Sequence, residues 1–189
     1  MEAHWAEYPW YRVIEDDSLE QGDILRDFEI PELVGSFSPG IADYEVDLQF
    51  LDVVVMTQTC DLSHGKARSV VLCPVLPLRD FLVAARGRGE HHWSRSDLLE
   101  QLRQGVVAGY HLLNDFQAGS VQLPLSIVDF HEIYSAAATQ VRVAVSKNAA
   151  RLRLCPPYRE HLAQSFARFF MRVGLPTDIS RDKLKQART

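Results

Sequence analysis

Two runs of β-branched and other apolar residues stand close together in the chain, at residues 53–56 and 69–75. Continuous apolar runs of this length are typical of strands that are buried on both faces. Residues 61–65, Asp-Leu-Ser-His-Gly, lie between the runs and predict a turn, so the simplest arrangement is an antiparallel pair. A buried pair requires further elements on both of its faces, and 189 residues are enough to supply them without a disulfide or a metal.

Other segments predict shorter strands around this pair. Residues 45–50 alternate acidic or polar side chains with apolar ones, which predicts a strand with one solvated face. An apolar run after Gly22 ends near Ile30, and the prolines and glycines that follow it predict a long loop. The remaining predicted strands are residues 110–113, 127–134, 141–145 and 151–154. Alternation is imperfect in residues 127–134, where we expect a bulge or a strand end.

The sequence also predicts two helices. The first begins at Ser94 or Ser96, either of which can cap it, and its leucines share one face. The second occupies residues 156–173, between an opening Pro-Pro pair and Gly174. Its aromatic-rich side is typical of core packing, so we expect this helix to cover a β-core.

These elements predict an α+β, mainly β protein with a small barrel and a C-terminal amphipathic helix. We expect one domain over residues 1–176, with the barrel core at about 20–155 and the packing helix at 156–173, followed by a polar basic tail at 177–189. We expect no secretory signal, because the first ten residues have neither a basic nor an apolar region, and no stretch approaches the roughly 18 uninterrupted apolar residues of a membrane span. With three cysteines, an odd number, it predicts a cytoplasmic protein with reduced thiols and no membrane partner.

Charge is unevenly distributed along the chain. Residues 1–65 contain fifteen acidic residues and two arginines, a balance of −13, whereas residues 151–189 have a balance of +6. The acidic front disfavours a nucleic-acid site there, because phosphate contacts need Lys and Arg. The basic residues of the segment 151–189 either contact the phosphate backbone of a nucleic acid or pair with the acidic residues of the segment 1–65, and pairing within the chain is favoured. Its candidate binding residues are Arg159, Arg168 and Arg172.

The most distinctive local motif follows the first buried strand. Thr57, Gln58 and Thr59 are hydrogen-bonding residues at a strand end, where binding residues often lie. In a catalytic interpretation Cys60 is a nucleophile, with Asp61 and His64 placed to orient or deprotonate it. In a structural interpretation the threonines and Asp61 fix the turn while the cysteine fills the core.

Three weaker constellations remain as alternatives. A zinc site would combine Cys60, His64 and Cys73 with one of His91, His92 or Cys155, but the spacing is irregular, and we expect no metal and no cofactor. The segment His91-His92-Trp93 has the composition of a nucleotide contact as well as that of an exposed loop. Asp129 and His131 stand two residues apart and would share one face of a strand, either paired or simply exposed to solvent.

Three pieces of the chain resemble the MazF/PemK-type toxins in the same order. Residues 21–25 (Gln-Gly-Asp-Ile-Leu) are similar to the Gly-Asp-Ile/Val entry of their first strand. Residues 51–57 and 69–76 resemble their Arg-Pro-x-x-Val-x-Ser and Val-x-x-Pro-Ile-Thr strands. The resemblance covers about residues 20–78 and implies an SH3-like barrel, with a homodimer as a further expectation. Residues 56–62 and 169–176 also resemble a group of bacterial proteins with no assigned activity.

The toxin family cleaves single-stranded RNA without a metal, using an Arg and a Thr. The Arg-Pro position falls at Leu51 and Asp52 here, and the Thr position falls at Leu76, so both catalytic residues are missing. An acid at that place repels phosphate. The resemblance therefore implies a binding or accessory module with a protein partner, in a toxin–antitoxin or phage-defence setting. The alternatives are an enzyme rebuilt around Cys60, Asp61 and His64, or an RNA- or DNA-binding protein that uses the basic C-terminal helix.

Overall fold

The two apolar runs lie at the centre of one antiparallel sheet in an α+β fold made mostly of strands. The computed structural model describes residues 8–35, 45–147 and 150–171. The strands are β1 (Tyr11–Ile14), β2 (Asp23–Val34), β3 (Glu45–Val55), β4 (Ser69–Pro77), β5 (Tyr110–Leu113), β6 (Phe116–Ala118), β7 (Val121–Leu123), β8 (Ser126–Asp129), β9 (Tyr134–Ala137) and β10 (Arg151–Leu154). The helices are α1 (Thr59–Ser63), α2 (Leu78–Gly87), α3 (Ser96–Arg103), α4 (Ala138–Lys147) and α5 (Tyr158–Phe170), with a 3-10 helix at His91–Ser94.

Strand β4 organises the sheet. One of its edges pairs with β3 in antiparallel register, for example Val54 with Cys73, which confirms the predicted pair. Its other edge is shared by two strands, β9 along its first half and β8 along its second half. The complete strand order is β1-β10-β2-β3-β4-β8-β5, with β9 beside β4, while β6 and β7 form a separate hairpin.

Alternation along the central strands divides the apolar residues between two cores. Val54 and Cys73 face the core that α5 covers, whereas Val53, Val55 and Leu72 face the core that α1 and α4 cover. All five are fully buried. A third cluster forms where α2, α3 and the 3-10 helix pack on β8. The continuous apolar runs are therefore explained by cover on both faces.

Several predictions about local structure were wrong. Residues 141–145 form part of helix α4 rather than a strand. Val141 and Val145 are buried and lie four residues apart, so they share one helical face, whereas Val143 is exposed. The turn predicted at residues 61–65 begins within the short helix α1, and β2 continues through Pro31 to Val34, so the predicted loop does not begin at Pro31. Residues 36–40 of that predicted loop lie outside the described residues.

One further predicted strand and both predicted helices correspond to elements of the fold. The predicted strand at residues 127–134 is two strands, β8 and β9, so a strand end does lie within it. The first predicted helix corresponds to α3 and the second to α5, while α2 was not predicted. Gly174, the final turn of the predicted second helix and the tail at 177–189 lie outside the described residues. No helix in the described part of the chain is long and apolar enough to cross a membrane.

The acidic front and the basic end of the chain meet inside the fold. Asp23 is completely buried and accepts hydrogen bonds from the guanidinium groups of Arg151 and Arg153, which are 2% and 1% exposed. Arg153 also pairs with Glu20 at 2.5 Å, and both arginines donate to the carbonyl of Ser18. Pairing within the chain thus accounts for part of the charge asymmetry, and it attaches β10 to the start of β2.

Candidate functional site

The Thr57–Asp61 segment is held in place by hydrogen bonds to its neighbours. The Thr57 hydroxyl accepts the Val71 N–H at 2.7 Å, and the Thr59 hydroxyl accepts the backbone N–H of Gln21 at 3.2 Å. The Gln21 side chain in turn donates to the Met56 carbonyl at 2.8 Å. Both threonines therefore have the anchoring role of the structural interpretation.

Helix α5 forms the opposite wall of a groove beside this segment. Its start is fixed by Tyr158, which stacks on Trp10 with ring centroids 3.9 Å apart, and its middle by Phe166, whose ring meets Phe130 edge-on at 5.3 Å. The groove between the helix and the segment has a volume of about 720 Å³. Its lining consists of Gln21, Met56, Thr57, Gln58, Asp61, Lys66, Ala67, Ser69, Val71, Ala163, Phe166 and Ala167.

The groove offers two different kinds of wall. The α5 side is apolar, with Phe166 and two alanines, and the opposite side carries amide, hydroxyl and charged groups. Within residues 8–35, 45–147 and 150–171, the Asp61 carboxylate and the Lys66 ammonium make no ion pair or side-chain hydrogen bond. Both charges are therefore available to a ligand. Thr57, Gln58 and Asp61, three residues singled out in the sequence, lie together here.

The two other proposed catalytic residues lie outside this groove lining. Cys60 is exposed, so the structural interpretation was wrong in placing it in the core, and its thiol is 3.7 Å from the side-chain oxygen of Gln58. The His64 ring donates through Nδ1 to the backbone carbonyl of Cys60 at 2.7 Å and lies 3.2 Å from the Ser63 hydroxyl. His64 is thus hydrogen-bonded to the backbone of residue 60 and not to its thiol.

The zinc and nucleotide hypotheses are not supported by the positions of their residues. Cys73 is fully buried in the core, and burial together with Asp129 raises the pKa of its thiol to about 12. Trp93 is 4% exposed and packs edge-on against Phe81, so its ring is not open for stacking on a base. Across the described ranges no three His, Cys, Asp or Glu side chains are grouped to hold a metal ion.

The three candidate arginines of the C-terminal helix differ in their surroundings. Arg159 is half-buried and pairs with Glu160 at 2.7 Å and with Glu20 at 3.4 Å. Arg168 is exposed near the end of α5, and Arg172 lies outside the described residues. Arg159 therefore belongs to the charge network that joins the two ends of the chain.

A hydrogen-bonded acid–histidine pair lies on the side of the sheet near β5. The Asp129 carboxylate accepts from His131 Nδ1 at 2.7 Å and from the His131 backbone N–H at 2.8 Å. The imidazole lies between the rings of Tyr110 and Phe169, with centroids 4.8 and 4.9 Å away. Gly109 makes room for it, because a Cβ there would lie 2.2 Å from the ring. The sequence left pairing and simple solvent exposure open for these two residues, and the structure shows them hydrogen-bonded.

A second histidine environment was not predicted. His111 is 3% exposed, and neither of its ring nitrogens has a hydrogen-bond partner in the described structure. Burial, together with the His161 ring 5.1 Å away, lowers its pKa to about 4, so the ring is neutral at pH 7. Its place in an apolar strand, residues 110–113, was the one available signal.

The two positions at which the sequence resemblance would put the toxins' catalytic residues have other roles here. Asp52 pairs with Arg26 at 3.0 Å and accepts the Asp27 N–H at 3.1 Å. Leu76 packs against the third apolar cluster. Neither position provides a cation or a hydroxyl for a phosphate. Comparison of the chain with protein-family models, with curated proteins and with solved structures found no match.

Proposed function

We propose that this chain is a binding or accessory module that holds a segment of a partner protein in the groove beside α5. The observation that carries the proposal is the convergence of Thr57, Gln58 and Asp61 on one groove wall opposite the apolar side of the helix. An anchored wall keeps its shape before a ligand arrives, which lowers the entropic cost of binding.

The chemistry of the groove fits a polypeptide better than a nucleic acid. Phe166 and its neighbouring alanines suit an apolar side chain, while Asp61 and Lys66 suit a cation and an anion that lie close together. A peptide segment supplies all three groups. A phosphate backbone would meet the Asp61 carboxylate, which repels it.

The sequence resemblance supports a setting for this module. We place it in a bacterial toxin–antitoxin or phage-defence system in the cytoplasm, as a MazF/PemK-like protein without the catalytic Arg and Thr. The division of one β4 edge between β8 and β9 supports the finer proposal that the fold derives from a small SH3-like barrel. Purified protein should accordingly leave single-stranded RNA intact.

Selection from a random peptide library tests the groove. Peptides enriched on the immobilised full-length chain should be weakened at least tenfold by Ala167→Trp, which places an indole in the groove. The matched control is Ala118→Trp, because Ala118 is also an exposed alanine but lies on β6, outside the groove lining. Cys60→Ala should bind as the wild type does. Peptides that bind equally well to Ala167→Trp and to the control would contradict the proposal.

An enzyme is the second candidate, because the Asp129–His131 pair has the geometry of an oriented acid–base imidazole. Hydrolysis of single-stranded RNA that is lost in His131→Ala would support it and contradict the binding module. Activity lost instead in Cys60→Ala would support the site around Cys60, Asp61 and His64. RNA or DNA binding that falls with salt and with Arg168→Ala would support the basic-helix alternative.

A further inference from the structure

Helix α2 and the linker from β7 to β8 border a second pocket, with a volume of about 590 Å³. It shares no lining residue with the groove beside α5. Its volume lies within the range of small-molecule sites. Among the described residues, its lining combines two arginines, Arg79 and Arg86, with proline, leucine and valine side chains and includes no acidic residue. We call this site the α2 pocket.

Helix α2 turns one face to the core and another to the α2 pocket. On the first face Phe81 and Ala85, four residues apart, are buried in the third apolar cluster. The residues of the second face have the i, i+3, i+4, i+7 spacing of a helical face and are Arg79, Leu82, Val83 and Arg86. Val83 is 62% exposed, so the two arginines flank apolar surface that the described chain leaves open.

Both walls of the α2 pocket are fixed within the chain. The Leu78 N–H donates to the Leu125 carbonyl at 2.9 Å, which joins the start of α2 to the linker. The Ser126 hydroxyl donates to the Pro124 carbonyl at 2.6 Å, and Ser126 pairs with Pro77 at the end of β4. A pocket whose walls are held in this way loses less entropy when a ligand binds.

Arg79 and Arg86 differ from most arginines in the described part of the chain. Most of the others form an ion pair or donate a side-chain hydrogen bond, as Arg88 does to Glu90. The arginines that do neither are Arg68, Arg79, Arg86 and Arg168. Two of these four therefore lie in one pocket whose other side chains are apolar. A guanidinium group binds a carboxylate through two parallel N–H···O bonds, so these free cations favour an anionic ligand.

We propose that the α2 pocket binds an aliphatic carboxylate of the fatty-acid class. The two arginines stand seven residues apart, about 10 Å along the helix axis, and Leu82 and Val83 lie between them. A carboxylate bound to either guanidinium group thus leaves its hydrocarbon chain over apolar surface. A flexible chain suits a lining that offers no aromatic ring among the described residues for stacking on a flat ligand. This inference does not depend on the groove beside α5.

Titration of the full-length chain with sodium decanoate, below its critical micelle concentration and followed by amide NMR, tests the proposal. For a ligand of this size we expect a dissociation constant of about 2 mM or lower, with shifts concentrated at residues 77–86 and 124–125. The double substitution Arg79→Gln/Arg86→Gln should raise this constant at least tenfold. Val83→Glu should do the same, because its carboxylate repels that of the ligand. All three side chains are exposed, so circular dichroism should show unchanged folding.

The matched protein control is Arg68→Gln/Arg95→Gln, which removes the same charge from two exposed arginines outside the lining. It should bind decanoate as the wild type does. The matched ligand control is decyltrimethylammonium, which has the same chain with the opposite charge and should cause no shift at these residues. The groove variant Ala167→Trp should also bind decanoate normally, so failure of this proposal is distinguishable from failure of the proposed function.

Three results would overturn the proposal. The first is the absence of shifts at these residues with decanoate at about 20 mM, roughly ten times the expected dissociation constant. The second is binding that both the double arginine substitution and Val83→Glu leave unchanged. The third is binding to anionic phospholipid vesicles without any response to dispersed decanoate, which would make this face a membrane contact instead of a pocket for a single chain.

Discussion

Replacing Asp23 by Asn should destabilise the fold strongly. The carboxylate is completely buried and neutralises two guanidinium groups that are themselves buried, those of Arg151 and Arg153. It also accepts the backbone N–H of Glu20 at 3.1 Å. Asn keeps the size of the side chain but removes the charge, and its amide N–H groups face other donors.

The size of the effect follows from the burial of all three groups. Breaking a buried ion pair by removing one partner costs about 3–5 kcal/mol, because the remaining charge stays desolvated. For a chain of this length each 1 kcal/mol lowers the melting temperature by about 2–4 °C, so a decrease of roughly 6–20 °C is expected. Since buried charges are weakly screened, added salt should change this loss little.

Urea denaturation at pH 7, followed by circular dichroism, measures the loss directly. The matched control is Asp16→Asn, because Asp16 is 4.0 Å from Arg151 but its side chain is 72% exposed. This control should leave the midpoint almost unchanged. A loss below about 1 kcal/mol for Asp23→Asn would refute the argument that this network joins the two ends of the chain.

Three further substitutions or probes test other parts of the structure. Burial lowers the pKa of His111 from 6.5 to about 4, so the histidine is protonated at a higher pH in the unfolded chain than in the folded one. The free energy of unfolding should therefore fall by about 3 kcal/mol as the pH drops from 6.5 to 4. His111→Leu should remove this part of the pH dependence in urea titrations and be no less stable at pH 7, since both ring nitrogens lack partners. Gly109→Ala should lower the melting temperature far more than Gly119→Ala, because both have positive φ but only the first would meet a neighbouring ring. Iodoacetamide should label the exposed Cys60 in the folded protein, whereas Cys73 should react only after unfolding; equal labelling would contradict its burial.

The elements that the sequence predicted correctly are those whose burial is visible in the local pattern of apolar residues. The central strand pair was predictable because a continuous apolar run needs cover on both faces. Helix α4 was not, because valines at 141, 143 and 145 fit a strand period, and only the packed fold distinguishes the buried pair from the exposed Val143. Alternation in β3 indicated an apolar face but not that nothing in the described chain covers it.

Only the part of the candidate site that lies in one short segment was predictable from the sequence. The Thr57–Asp61 motif stands out by composition, but its opposite wall comes from α5, about a hundred residues later in the chain. The burial of Asp23 depends on arginines that are also distant in sequence. Contacts of this kind are set by tertiary packing and leave no local pattern.

Amide hydrogen exchange of the full-length chain with and without a library-selected peptide tests the proposed function most directly. The binding-module account predicts slower exchange at residues 57–61 and 163–167, with the β6–β7 hairpin unchanged. Protection confined to other surfaces, with these two segments exchanging as in the free protein, would contradict it.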